Sequence, residues 1–184
     1  PAGDGKEVPG VIIYRQAARR VLTRTELSRL RAAAADPSTV LIDVGALEQG
    51  IVDAIRRSAD GWGETDALLR RATLASADPY LAARGNHPID PALRSVRTAL
   101  DTLATRPLPH SIDIRPPEGF VHYALDPDGY AWAAAQYVAA VGGAWARRAV
   151  VVGVRSIGTS LSAIVARVLD SPRSVTVRPP RRDG

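Results

Sequence analysis

Between Val150 and Leu169 the chain reads VVVGVRSIGTSLSAIVARVL, and the residues at its centre, Arg155, Ser156, Ile157, Gly158, Thr159 and Ser160, have the make-up of an anion-binding turn. A guanidinium, three hydroxyls and a glycine stand directly before a helix start. The first N–H groups of a helix have no acceptor within it, and the aligned peptide dipoles make that end positive, so phosphate is the ligand such a turn suits. Three sharper motifs fail here. Gly153 and Gly158 have the glycine spacing of a P-loop and Ser160 its hydroxyl, but Thr159 stands where the phosphate-binding lysine belongs. Gly153 to Ser156 is one residue too long for a hydrolase nucleophile elbow. The glycine triplet of a dinucleotide fingerprint is missing. A bare strand-to-helix connection capped by Ser or Thr, with no ligand, stands beside the anion-site reading.

The elements that must hold this turn are legible from periodicity. Val150 to Val154 is a β-branched run of the kind found in strands buried on both faces, and Leu161, Ile164, Val165, Val168 and Leu169 fall on one helical stripe. Asp126, Pro127 and Asp128 start a helix that Gly142 and Gly143 end, and helix capping accounts for both aspartates. Ser174 to Arg178 supplies a further strand, and Phe120 to Ala124 is strand-like. Strands alternating with helices predict a parallel sheet, with ligands at the carboxyl ends of its strands. Arg155 to Ser160 falls at such an end.

Upstream the pattern is mostly helical. Thr23 and Glu26 have capping-box spacing ahead of Leu27 and Leu30, and Pro37 closes that helix. Val40 to Val44 reads as a short strand, Leu47 to Ile55 as a helical stripe, and Gly61 to Gly63 as a turn. A helix capped by Thr65 or Asp66 follows, then a loop over Pro79 to Pro88, then a helix opened by Asp90 and Pro91 with Leu93, Val96, Leu100 and Leu103 on one side. Prolines from 107 to 117 mark a linker. The expected organisation is a mainly helical region over 1–106, a Pro-rich linker over 107–117 and an α/β core over 118–184.

With 184 residues and 46% hydrophobic residues the chain can bury a real core. It has no cysteine, which excludes disulfides and thiolate metal sites. Its apolar runs are too short to span a bilayer and no leader opens it, which points to the cytoplasm. The charge of +5 invites a polyanion partner, but the arginines are scattered among alanines without interleaved aromatics, which argues against nucleic acid. His87, His110 and His122 lack metal-ligand spacing. Asp43 and Glu48 read as solvated charges, and Trp62, Trp132 and Trp145 as core or interface anchors. The chain opens at Pro1 without methionine and stops at Gly184 soon after a strand, so more of a parallel sheet is expected outside it.

The order of capped helix (Asp126 to Val141), valine-rich strand, Arg/Ser/Gly turn, Ala-rich helix (Ser160 to Leu169) and strand (Ser174 to Arg178) resembles the first half of a type I phosphoribosyltransferase. VRSIGTSLSAIVA is similar to the pyrophosphate loop of little-characterised bacterial phosphoribosyltransferase-like proteins. The resemblance covers Gly119 to Arg178. It implies a parallel-sheet domain that binds phosphoribosyl pyrophosphate with Mg²⁺ and transfers the pentosyl group to a nitrogenous acceptor. Arg155, Ser156, Ile157, Gly158 and Thr159 would cradle the pyrophosphate, with Ser160 opening the helix and Arg178 adding a basic group. The helical region would form a hood or a homodimer contact. The family's acidic pair with its Thr/Gly-rich ribose-phosphate loop is absent from this sequence. That leaves open a non-catalytic domain sensing a nucleotide or sugar phosphate. A sugar-phosphate isomerase-type site is also open, in which the Ser156, Thr159 and Ser160 hydroxyls would converge on one phosphate.

Overall fold

The computed structural model describes residues 18–32, 36–56, 63–115, 117–121, 123–155 and 157–178. Among them the chain runs β1 (Arg19–Leu22), α1 (Thr23–Ala32), α2 (Pro37–Ile55), α3 (Glu64–Arg84), α4 (Asp90–Ala104), β2 (Ser111–Ile114), α5 (Glu118–Val121), α6 (Pro127–Val141), α7 (Gly143–Ala146), β3 (Val151–Val154), α8 (Thr159–Val168) and β4 (Ser174–Val177). The protein is mixed α/β and mostly helical, with short strands in two small sheets. β1 pairs with β2 antiparallel and β3 with β4 parallel, the only parallel pairing among the described residues.

Local chemistry explains most boundaries. Asp36 accepts from the Thr39 amide at 2.8 Å and Pro37 takes the first helical position, so α2 starts there. The Val40 to Val44 run therefore lies inside a 19-residue helix and is not a strand. Its apolar residues look out on two neighbours: Val40, Val44, Leu47 and Ile51 join the main core, while Leu41 faces Ala163 and Ile164 of α8. The loop expected over Pro79 to Pro88 is also corrected, because α3 runs through Pro79 to Arg84. An interior proline costs about 3 kcal/mol of helix. Here Pro79 is buried and Ala77 and Tyr80 beside it pack into the core, which offsets that cost. Phe120 belongs to the one-turn helix α5 and no strand forms over 120–124 among the described residues. Inside the segment 107–117 lies β2, whose Ile112 is 1% exposed, so that stretch is a strand of the core.

The Thr23–Glu26 capping box does not form. The Thr23 amide donates to the His110 carbonyl at 3.1 Å, and its hydroxyl is buried without a partner. Glu26 is buried too, and accepts from Arg29 at 2.7 Å and Arg19 at 3.4 Å. Burial alone would raise the Glu26 pKa, but the hydrogen bonds and charges of Arg29 and Arg19 outweigh it and leave the carboxyl below its usual value. A depressed folded-state pKa contributes stability above the unfolded value, and loses it as pH falls through the folded one. Glu26→Gln is accordingly expected to be less stable than the parent at pH 7, with the gap closing below about pH 4. Denaturant titrations at several pH values check this; a gap that stays constant down to pH 3 would count against it.

The main core lies within the first part of the chain, a small cluster of Leu41, Ala77 and Tyr80 with Ala163 and Ile164 joins it to α8, and a third cluster fills the second part. α3 packs against α2, α4 and α8. Leu27, Leu47, Ile51, Leu69, Leu100 and Leu103 are each no more than 2% exposed within the main cluster. Burying such side chains supplies roughly 1.5–3 kcal/mol apiece. The outer side is unusual. Val150, Val152, Val154 and Val177 are exposed around the β3–β4 pair, as are Tyr130, Trp132 and Tyr137 on α6. Of the expected tryptophan anchors, Trp132 and Trp145 are thus outside the core, Trp145 lying under the Arg148 guanidinium at 4.8 Å, and Trp62 lies outside the described residues.

Candidate functional site

The strand, turn and helix that carry the candidate anion loop all form, but β3 is not buried on both faces: Val151 is buried while Val152 and Val154 are exposed. β3 and β4 run parallel with Val151 opposite Ser174 and Val154 opposite Val177, and the Arg155 amide continues the ladder to the Val177 carbonyl at 2.8 Å. The turn sits at the carboxyl end of β3. Here Arg155 is buried, and its Nε donates to Asp53 Oδ1 at 3.1 Å while Nη1 reaches the Thr176 carbonyl at 3.3 Å. Arg178, at the end of β4, meets the other oxygen of the same carboxylate, Nη2 to Oδ2 at 2.5 Å. Burial lowers the Arg155 pKa from its ordinary value; Asp53 opposes this, and the guanidiniums of Arg56 and Arg178 add to it. Arg56 pairs with Asp66 at 3.4 Å. The guanidiniums of Arg155, Arg178 and Arg56 thus gather with the Asp53 and Asp66 carboxylates at the end of β3.

The remaining loop residues are brought together only in part. Ser156 lies outside the described residues. The Ile157 and Gly158 amides both donate to the Val154 carbonyl, at 3.2 and 2.7 Å, closing a tight turn. The Ser160 hydroxyl is turned away, donating to the Leu41 carbonyl of α2 at 3.0 Å. Thr159 is buried, its carbonyl accepts from Arg70 and Ser162, and its hydroxyl has no partner. Thr159, Ser160 and Leu161 make the first turn of α8, where N–H groups have no helical acceptor. Convergence of three hydroxyls on one phosphate, the expectation for an isomerase-type site, is not met by Ser160. Gly158 has φ −120°, which any residue adopts. The glycine that the packing requires is Gly153, where a Cβ would overlap the Ser162 side chain and come within 2.9 Å of the Gly158 carbonyl.

The residues that sequence reasoning missed come from the helical region. Glu48, expected as a solvated charge, is 2% exposed. It accepts from Thr176 Oγ1 at 2.9 Å and pairs with Arg70 at 3.4 Å. Arg70 reaches the Thr159 carbonyl at 3.0 Å, Ser162 Oγ at 2.9 Å and Ser174 Oγ at 2.6 Å, so it ties α3 to α2, to the start of α8 and to β4. Burial pulls the Arg70 pKa down against the attraction of Glu48. Asp128 does not cap α6; Asp126 does, while Asp128 accepts from the Tyr80 hydroxyl at 2.6 Å and pairs with Arg84 at 2.8 Å. No local signal marks Asp53, Glu48 or Arg70 in the sequence, since each meets its partners only through tertiary packing.

Asp53 is the carboxylate beside the turn, and guanidiniums take both of its oxygens. These residues therefore do not fit a Mg²⁺ ion. Among the described residues no group of three or more His, Asp or Glu side chains is placed to hold a metal. His122 lies outside them. No helix among the described residues is long and apolar enough to cross a membrane. Comparison of the chain with protein-family models, curated proteins and solved structures gives no match.

Proposed function

We propose that this protein is a phosphate-binding domain of phosphoribosyltransferase type, which takes the phosphate or diphosphate of a nucleotide or sugar phosphate such as phosphoribosyl pyrophosphate at the end of β3. The observation that supports this is the Asp53 carboxylate held between Arg155 and Arg178, one oxygen to each. Two guanidiniums sharing the oxygens of one anion is how phosphate is held, and Asp53 fills that place. The ligand enters by exchange with Asp53, taking over the guanidiniums of Arg155 and Arg178. Sensing without catalysis fits the fact that Arg155 is buried and tied to α2 and β4, leaving little freedom to follow a leaving group.

Calorimetry with phosphoribosyl pyrophosphate, with and without Mg²⁺, tests the reading. Asp53→Asn is expected to bind about tenfold more tightly than the parent, the scale of one charged hydrogen bond, and Arg178→Ala about tenfold less tightly. Equal affinity in all three proteins would remove the site. The second reading is transfer of the pentosyl group to a nitrogenous acceptor, with pyrophosphate departing. It draws on the order of parallel strand, turn, helix and parallel strand, and predicts release of pyrophosphate on adding acceptor.

A further inference from the structure

A cavity lies on the other side of α3, away from the β3 turn. It is an open groove of about 560 Å³ with α3 as its floor, α4 as one wall and Arg167 of α8 at one end. That volume is in the range of small-molecule sites. Helical spacing explains how it is lined. On α3, Leu68, Arg71 and Ala75 fall at i, i+3 and i+7, so a guanidinium rises from an apolar floor. On α4, Pro91, Ser95, Thr98 and Thr102 form a stripe at i, i+4, i+7 and i+11, with Arg94 beside it.

The chemistry of this lining is one-sided. Arg71, Arg94 and Arg167 bring three guanidiniums to one groove, and no carboxylate is among its lining residues. Arg167 is held in place by Asp78 at 2.9 Å and by the Leu74 carbonyl at 3.1 Å. Arg71 and Arg94 make no side-chain ion pair or hydrogen bond among the described residues. The α4 hydroxyls send their protons inward: Ser95 donates to the Pro91 carbonyl, Thr98 to that of Arg94 and Thr102 to that of Thr98. Their lone pairs are left for a ligand donor.

From these observations we infer that the groove between α3 and α4 binds an amphipathic organic anion, an apolar body carrying a phosphate or carboxylate. The body lies on Leu68, Ala75 and Pro91, the acid takes Arg71 and Arg94, and a ligand hydroxyl or amide donates to the α4 hydroxyls. Guanidiniums that have no internal partner lose nothing when they turn to an external acid, and an apolar floor beneath them adds affinity that a bare inorganic ion lacks.

The probe for this is 1-naphthyl phosphate, titrated into the full chain by calorimetry, with inorganic phosphate and 1-naphthol as the separated halves. Saturable binding is expected, at least tenfold tighter than either half. Arg71→Gln combined with Arg94→Gln is expected to weaken it at least tenfold, while Arg178→Ala leaves it within about twofold, separating this groove from the site at β3. Both arginines are exposed, and circular dichroism confirms that the double variant folds. Should it not fold, Thr98→Trp, which fills the groove and keeps its charges, decides the matter by abolishing binding. The inference is overturned by three results: no saturable binding of naphthyl phosphate, affinity unchanged in the groove variants, or loss of affinity with Arg178→Ala alone.

Discussion

Arg70→Ala is expected to lower the unfolding free energy by about 3–5 kcal/mol, the cost of removing one member of a buried ion pair. The size follows from what is left behind. Glu48, 2% exposed, would be left with only the Thr176 hydroxyl as a donor from this network. The Thr159 carbonyl, Ser162 and Ser174 would each lose a hydrogen bond to a charged donor. Four elements would lose their common tie at once. The double variant Arg70→Met with Glu48→Leu is expected to recover part of the loss, because no uncompensated charge remains. Urea denaturation of the parent, both single variants and the double variant measures the coupling. A cost below about 1 kcal/mol for Arg70→Ala would mean the pair is better solvated than its burial indicates.

The second large effect is at Gly153. Gly153→Val is expected to destabilise by about 2–3 kcal/mol or more, as overpacking at a rigid contact does. A new Cβ there meets the Ser162 Cβ at 2.9 Å and the Gly158 carbonyl at 2.9 Å, in addition to overlapping the Ser162 hydroxyl. The hydroxyl is the end of a short side chain, whereas the carbonyl is backbone and belongs to the turn itself. Gly153→Ala with Ser162→Ala should therefore recover only part of the stability lost in Gly153→Ala alone. Full recovery would show that the carbonyl yields easily and that the turn is soft. Thermal unfolding of the single and double variants distinguishes these outcomes.

How much of this was legible in the sequence depends on how far each signal reaches along the chain. The β3 turn and α8 were, since a valine run, a turn and a 3.6-residue stripe are all local. The cap at Asp126 was legible for the same reason. Val40 to Val44 misled because a short apolar run in a helix facing two neighbours has no clean period. Pro79 misled because propensity gave way to packing. β2 hid among prolines, its pairing partner β1 lying near residue 20. Of the expected parallel sheet, the β3–β4 pair is the part that forms among the described residues. At the candidate site the sequence located Arg155 and Arg178 but not Asp53, which comes from α2 and is 102 residues from Arg155. Which face a charged helix residue presents is decided by packing, so Glu48 and Arg70 looked like any other surface charges.

The pairing of β1 with β2 has a kinetic consequence. Arg20 and Ser111, hydrogen-bonded across that pair, are 91 residues apart, so the strands close a loop that costs roughly 4 kcal/mol of chain entropy before any contact rewards it. Arg70 waits longer still, for Ser174, 104 residues on. During synthesis at about 5–20 residues per second, α1 to α4 emerge several seconds before the last of their partners. Over that interval the side of α2 and α3 that will receive α8 is open to water, and Arg70 and Glu48 stay without Ser174 and Thr176 until β4 emerges.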